Sequence, residues 1–390
     1  MKIIIIGNGN YVTGKGTDEY GTILPAIYEF QRDTKLIKKV YLVGTNSKSS
    51  KKAKFKNKKI KHQSGLDLNI EILPTQASND PNSYLKILNT QKDIDCAILA
   101  TPDHTHYNIA KNSIERGIHT LVTKPLVPKL SQAKSLVNLC EKNNVYGAVE
   151  FHKRWDKQNL ILKDKFDQKI IGDPLYTWTE YSQRKIVPEF FFKSWVSKNN
   201  VLQYLGIHYI DLIRFISRSK PLEVISLGQY NYLRKKNLKT YDSIQTIIKW
   251  RSPNGINFTQ TLLLNWVDPN NTSAMSDQKI KIVGTKGRIE LDQKNRGLRA
   301  ISEKNNYEDI NPDFCRRYGT TAGSIVWRGY GIDSVKTFLN DVIKIKKRNC
   351  TPSSFEKIRP TFRETLFSTA ALEAANKSLS SNSSWKKILI

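Results

Sequence analysis

The apolar positions of this chain follow two rhythms, and the change between them falls near residue 150. Over residues 2 to 150, short unbroken apolar runs alternate with segments of helical spacing. The runs are Ile3-Ile4-Ile5-Ile6, Val40 to Gly44, Ile70 to Leu73, Ala97 to Ala100, Leu121-Val122 and Tyr146 to Phe151. Thr22 to Arg32, Thr105 to Arg116 and Ser131 to Asn143 carry apolar residues three and four apart, and Gly117 stops the second of these helices. A strand that is apolar on both faces is covered on both sides. The pattern therefore predicts an α/β domain with a doubly wound parallel sheet and right-handed crossovers.

After residue 151 the period shortens. Val201 to Ile216 still reads as a helix, but Leu222 to Tyr232, Ser243 to Trp250, Phe258 to Trp266, Lys279 to Val283 and Arg288 to Leu291 alternate apolar and polar residues. Turn sequences such as Ser252-Pro253-Asn254-Gly255 and Gly284-Thr285-Lys286-Gly287 separate them. This predicts a second α/β domain with a large open, mostly antiparallel sheet covered on one face. Helical spacing returns over 330 to 346 and 360 to 378, and the polar stretch Ser380 to Ser384 reads as a loose tail. The predicted domains are 1–150 and 151–390, with the last helices able to pack back on the first domain.

The length of 390 residues suits two domains. Cys96, Cys140, Cys315 and Cys350 show neither metal spacing nor a disulfide framework, which points to a reducing, cytoplasmic setting and no metal. The apolar run Ile3 to Ile6 is too short for a leader or a membrane span. The net charge of +28 could attract an anionic partner, but most lysines lie scattered between apolar positions, as on a solvated surface. Lys48 to Lys61 is the exception, with eight lysines in fourteen residues. No nucleic-acid motif accompanies it, so neither nucleic acid nor membrane is the expected partner.

Three places carry candidate chemistry. Gly7-Asn8-Gly9 follows the first strand directly and runs into Asn10. The first glycine allows a tight turn and the second lets a pyrophosphate approach the backbone, as in dinucleotide-binding domains. Val12 stands where a third glycine is usual. Gly9 to Gly16 nearly matches a P-loop, but Lys15 is followed by Gly16 rather than serine or threonine. The second strand ends in Gly44-Thr45-Asn46-Ser47-Lys48, with no acid for ribose hydroxyls, which leans the cofactor from NAD towards NADP, held by Thr45 and Lys48. Second, Lys124 stands at the carboxyl end of a strand, before Pro125. Third, His208 and Asp211 lie three apart on one helix face.

These motifs resemble the glucose–fructose oxidoreductase and inositol dehydrogenase family, Gfo/Idh/MocA. Thr101-Pro102-Asp103-His104-Thr105-His106 is similar to its turn after the fourth strand, Gly117 to Leu126 to its lysine-proline segment, and Gly206-Ile207-His208-Tyr209-Ile210-Asp211 to its substrate-domain helix. The resemblance implies a Rossmann domain followed by a domain with a large open sheet, which serves as a homodimer or homotetramer interface. It implies a dehydrogenase moving a hydride between NAD(P) and a sugar, cyclitol or sugar derivative. Lys124 and His208 would be catalytic, the histidine taking the hydroxyl proton and the lysine stabilising charge on the oxygen. Asp211 would bind substrate, with Arg154 and Tyr204 as further substrate contacts. Thr101, Pro102, His106 and Lys124 would line the cofactor. The chain departs from the family at Thr123, where glutamate is usual, and at Tyr204, where an acid is common. An NAD-using, glycosidase-like hydrolase and a non-catalytic sugar- or cofactor-sensing protein are the alternatives.

Overall fold

The computed structural model describes residues 1–77, 79–303 and 306–390, and the elements named are those among these residues. The chain forms two compact units. Unit 1 holds residues 1–127, 131–155 and 313–365, and unit 2 holds 128–130, 156–312 and 366–390.

In unit 1, β1 (Lys2–Ile6), β2 (Lys39–Val43), β3 (Ile70–Leu73), β4 (Cys96–Leu99), β5 (His119–Thr123) and β6 (Gly147–Glu150) form one sheet in the order β3-β2-β1-β4-β5-β6. Every pairing is parallel. The four isoleucines of β1 are buried on both faces, as an interior strand requires. Ile3 and Ile5 share a core with Ile27 and Phe30 of α2 (Ile23–Thr34) and with Ile60 of α3 (Ser47–Ser64), after the one-turn helix α1 (Asn10–Thr13). The helices α4 (Ser83–Thr90), α5 (His106–Ile114) and α6 (Leu130–Lys142) complete the alternation.

The lysine-rich segment is α3, which the apolar period did not mark. Its buried side is made of Ser49, Ser50, Ala53, Ile60 and Ser64, too polar to register as a stripe. Asn46 caps it, its side-chain oxygen accepting from the Ser49 amide at 2.9 Å.

Unit 2 opens with α7 (Lys157–Asp167) and the long strand β7 (Pro174–Arg184). A π-helical turn, Leu202–Gly206, runs into α8 (Ile207–Ser217). Then come β8 (Lys220–Gln229), the short α9 (Tyr232–Lys235), β9 (Ser243–Arg251), β10 (Asn257–Asp268), β11 (Ser276–Gly284) and β12 (Gly287–Asp292). The hairpin β13 (Arg299–Ser302) and β14 (Asn306–Asp309) follows. Back in unit 1, β15 (Arg316–Gly319) and β16 (Ile325–Arg328) pair, and α10 (Tyr330–Lys346) packs on α2. In unit 2, α11 (Leu366–Ser380) packs on β8 and α8, and β17 (Lys386–Lys387) closes the chain.

The large sheet has the order β12-β11-β7-β10-β9-β8-β17. It is mostly antiparallel as expected, but β7 pairs with β10 in parallel, so it is mixed. The parallel pair exists because β7 inserts between β10 and β11, and it was missed because its buried positions include Thr177, Thr179 and Gln183. Strands β9 and β10 alternate buried and accessible residues, which gives the sheet one core face. The carboxy-terminal tail is not loose. Lys386 and Lys387 pair with β8, the Ile388 amide donates to the Leu222 carbonyl at 2.8 Å, and the Ser378 hydroxyl donates to the Ser384 carbonyl at 2.7 Å. Within Ser380 to Ser384, the stretch expected to be loose, the Ser381 and Ser383 amides both donate to the Ser378 carbonyl at 3.0 Å. Among the described residues, no helix is long and apolar enough to cross a membrane.

Candidate active site

The glycine-rich turn sits where β1 ends between β2 and β4. Gly7 has φ of 107°, and its amide donates to the Val43 carbonyl at 2.8 Å. A Cβ there would lie 2.1 Å from the Ala100 carbonyl oxygen, so only glycine fits. Gly9 differs. Its φ is an ordinary −77°, and a Cβ built on it would meet no protein atom within 4 Å. The space beside Gly9, with Asn10 opening α1, fits the approach of a dinucleotide pyrophosphate to the backbone. At the end of β2, Thr45 and Lys48 are exposed and no acid stands between them.

The turn after β4 is tied internally. The Thr105 hydroxyl lies 2.8 Å from the Thr101 hydroxyl and donates to the Pro102 carbonyl at 2.7 Å. His106, expected beside the nicotinamide, is placed otherwise. Its ring is buried. Nδ1 lies 2.9 Å from the Pro125 carbonyl and Nε2 lies 2.9 Å from the Thr101 carbonyl. The imidazole thus clamps the turn after β4 to the segment after β5, and both ring nitrogens face protein backbone. A histidine opening a helix gave no sequence signal for this, because the carbonyls belong to distant segments.

Lys124 follows β5 directly and is partly buried. Burial pushes its pKa down from 10.5 to about 7; Asp103 and then Glu150 oppose this, and Lys153 adds to it. Asp103 stands in the turn after β4 and Glu150 ends β6. Neither was singled out from the sequence. Glu150 had a signal, being the one acid in the apolar run Tyr146 to Phe151. Its carboxylate accepts from the Ser334 hydroxyl at 2.6 Å and lies 3.1 Å from His152 Nδ1. The Tyr11 hydroxyl lies 3.2 Å from the same nitrogen, which links Glu150 to the glycine-rich turn. Arg154 is buried in the turn after β6, next to the equally buried Lys153.

In unit 2, His208 and Asp211 are both buried on α8. Gly206 lets the start of this helix lie against the sheet, since a Cβ there would come within 2.7 Å of side-chain carbons of Leu202 and Leu264. The Gln260 amide donates to the Tyr209 carbonyl at 3.0 Å, and the Tyr209 hydroxyl donates to Gln293 at 2.8 Å. These bonds fix the rotation of α8 and so the direction of its histidine and aspartate. Tyr204 lies in an aromatic group, with ring centroids 4.6 Å from Phe192 and 5.9 Å from Trp266. Burial, with a smaller effect from Tyr181, pushes its phenol pKa upwards, so the ring is a neutral wall. Asp156 and Arg296 form a buried ion pair at 2.5 Å.

Comparison with known proteins agrees with this architecture. The scyllo-inositol 2-dehydrogenase (NAD(+)) of Bacillus subtilis is 24% identical over 62% of this chain and 67% of its own length. An uncharacterised Escherichia coli oxidoreductase, YdgJ, is 33% identical over 26% of this chain and 27% of its own length. The chain thus aligns with about a quarter to two thirds of these curated relatives. The scyllo-inositol dehydrogenase from Lactobacillus casei, solved with bound NAD(H) and scyllo-inositol, superposes with a TM-score of 0.69 at 16% identity, covering 100% of this chain and 99% of that one. Residues 1–151 match the model of the Gfo/Idh/MocA oxidoreductase family, NAD-binding Rossmann fold, and residues 160–290 match the GFO/IDH/MocA C-terminal domain, so the chain belongs to the Gfo/Idh/MocA family.

Proposed function

We propose that the protein is an NAD(P)-dependent oxidoreductase that transfers a hydride between the nicotinamide and a hydroxyl-bearing carbon of a sugar, a cyclitol or a sugar derivative. The observation that carries this reading is Lys124. It is an amine at the carboxyl end of a parallel strand, two strands from the glycine-rich turn, with a pKa near 7. A group poised near working pH exchanges protons most effectively. When bound, the cofactor supplies the hydride acceptor or donor. Gly7, Gly9 and Asn10 would hold its pyrophosphate, Thr45 and Lys48 its adenosine ribose, and Thr101 and Pro102 its nicotinamide end. The exposed lysine and absent acid favour NADP.

Protonated Lys124 donates a hydrogen bond to the reacting oxygen and stabilises negative charge developing there. His208 accepts the hydroxyl proton. Asp211 accepts hydrogen bonds from neighbouring hydroxyls, and Arg154 and Tyr204 complete the substrate contacts. The polyol class is favoured by the Bacillus subtilis relative, named for scyllo-inositol. The test is a screen of polyols and sugars with both cofactors, following nicotinamide absorbance. A reversible change with a polyol is the expected result. Cofactor retained through purification with glycoside cleavage and no net redox change would replace this reading with the hydrolase. Binding without any turnover would replace it with the sensing protein.

A further inference from the structure

The neighbours of Lys124 are arranged symmetrically. The lysine follows β5, and β5 lies between β4 and β6. A buried carboxylate lies at the carboxyl side of each flanking strand: Asp103, 4% exposed, in the turn after β4, and Glu150, 2% exposed, as the last residue of β6. Register places Glu150 opposite Thr123, the residue before the lysine. Thr123 itself brings no charge. Both carboxylates are held in place. The His104 amide donates to Asp103 Oδ1 at 2.9 Å. Glu150 is gripped through both oxygens, Oε1 by the Ser334 hydroxyl of α10 and Oε2 beside His152 Nδ1. The His152 ring is fixed in turn, stacked on Tyr11 and Tyr330 and tilted against Phe314.

Burying a carboxylate is costly unless it is hydrogen-bonded and has an opposite charge to act on. Here two are buried beside the strands that flank β5, and both act on the charge of Lys124. Lys153, in the turn after β6, is a like charge that works against them.

We propose that Asp103 and Glu150 are positioning residues for Lys124, a pair of fixed counter-charges that keep its amine protonatable at neutral pH inside the sheet edge. The proposal rests on the reading of Lys124 as the working amine. Without the pair, burial and Lys153 would leave a neutral amine unable to donate to a developing oxyanion. Glu150 carries a second consequence. Through His152 and Tyr11 it is joined to the loop that begins at Gly7, so the counter-charge of the lysine and the glycine-rich turn share one hydrogen-bonded framework.

The test reads the amine directly. The full-length protein, without substrate or cofactor, is labelled with limiting acetic anhydride across pH 5 to 10, and acetylation of Lys124 is followed by mass spectrometry. The wild-type midpoint should fall near 7. Asp103→Asn and Glu150→Gln should each lower it by about one pH unit, and the double variant by more. At pH 6, Lys124 should then acetylate several-fold faster in each variant. Glu150→Asp, which retains the charge, should recover most of the wild-type midpoint. Ser334→Ala removes a hydrogen bond but no charge and should leave the midpoint within a few tenths of a unit. Should Glu150→Gln fail to fold, Asp103→Asn alone decides. Unchanged midpoints in the folded variants, or an equal fall in Ser334→Ala, overturn the proposal. Because the labelling needs no turnover, a failed substrate screen leaves this result intact, and the two readings can fail separately.

Discussion

Replacing Lys124 with methionine should stabilise the protein at neutral pH while removing its turnover. The amine has a folded pKa near 7 against 10.5 for the free side chain. Between those values the unfolded chain binds a proton that the folded protein does not, so wild-type stability rises as pH climbs from 7 to 10.5. Below pH 7 the cost of charging the partly buried amine is present in full, and above 10.5 it is gone. The gap between the two pKa values sets a ceiling of about 5 kcal/mol on that cost. Relaxation and water contact reduce it, and a gain of about 1–2 kcal/mol is a reasonable expectation for relieving one strained functional group. Methionine keeps the length and drops the charge. Urea unfolding of wild type and Lys124→Met at pH 6, 7.5 and 9 measures the difference. The variant should lead at pH 6, and its lead should shrink at pH 9. Turnover should fall about a hundred- to a thousandfold, the usual loss for one charge-stabilising donor, with cofactor binding nearly intact. A variant less stable than wild type at pH 6, or a gap independent of pH, would refute the electrostatic reasoning. Unchanged turnover would remove the proposed mechanism.

Fluorescence titration should show NADPH binding at least as tightly as NADH, with Lys48→Ala weakening NADPH alone; a firm NADH preference untouched by that change would reverse the cofactor assignment. The accessible face of the large sheet carries Ile247, Leu263 and Tyr176 beside polar residues, and light scattering at micromolar concentration should find a homodimer or homotetramer rather than a monomer. Gly206→Ala should cost about 1–3 kcal/mol by overpacking against Leu202 and Leu264, read as a lower thermal midpoint. Arg296→Met should cost more, about 3–5 kcal/mol, because it leaves the buried Asp156 carboxylate without its partner; a loss below 1 kcal/mol would contradict that pairing.

Much of unit 1 was legible in the sequence, because burial on both faces of a strand writes an unbroken apolar run and a covered helix writes a 3.6-residue period. The isoleucines of β1, the turn at Gly7 and the lysine after β5 could all be found from neighbours a few residues away. The alternating strands β9 and β10 were equally plain. Elements whose buried side is polar were not. The lysine helix α3 rests on serines and an alanine, and β7 turns threonines and a glutamine inward, so neither carried an apolar rhythm.

The assembly of charges around the lysine belonged to the tertiary structure, although Glu150 by itself stood out as an acid in an apolar run. Asp103, Lys124 and Glu150 are separated by more than twenty residues each, and only the strand order β4-β5-β6 brings the two acids to the strands that flank the one the lysine follows. His106 shows the same limit from the other side: its motif was visible, but the carbonyls that claim its ring come from the segments around Thr101 and Pro125. Periodicity records which face of an element is buried, a property shared by neighbours along the chain. A side chain's charge state and hydrogen-bond partners depend on atoms a few ångströms away in space, and those are supplied by sheet register and packing.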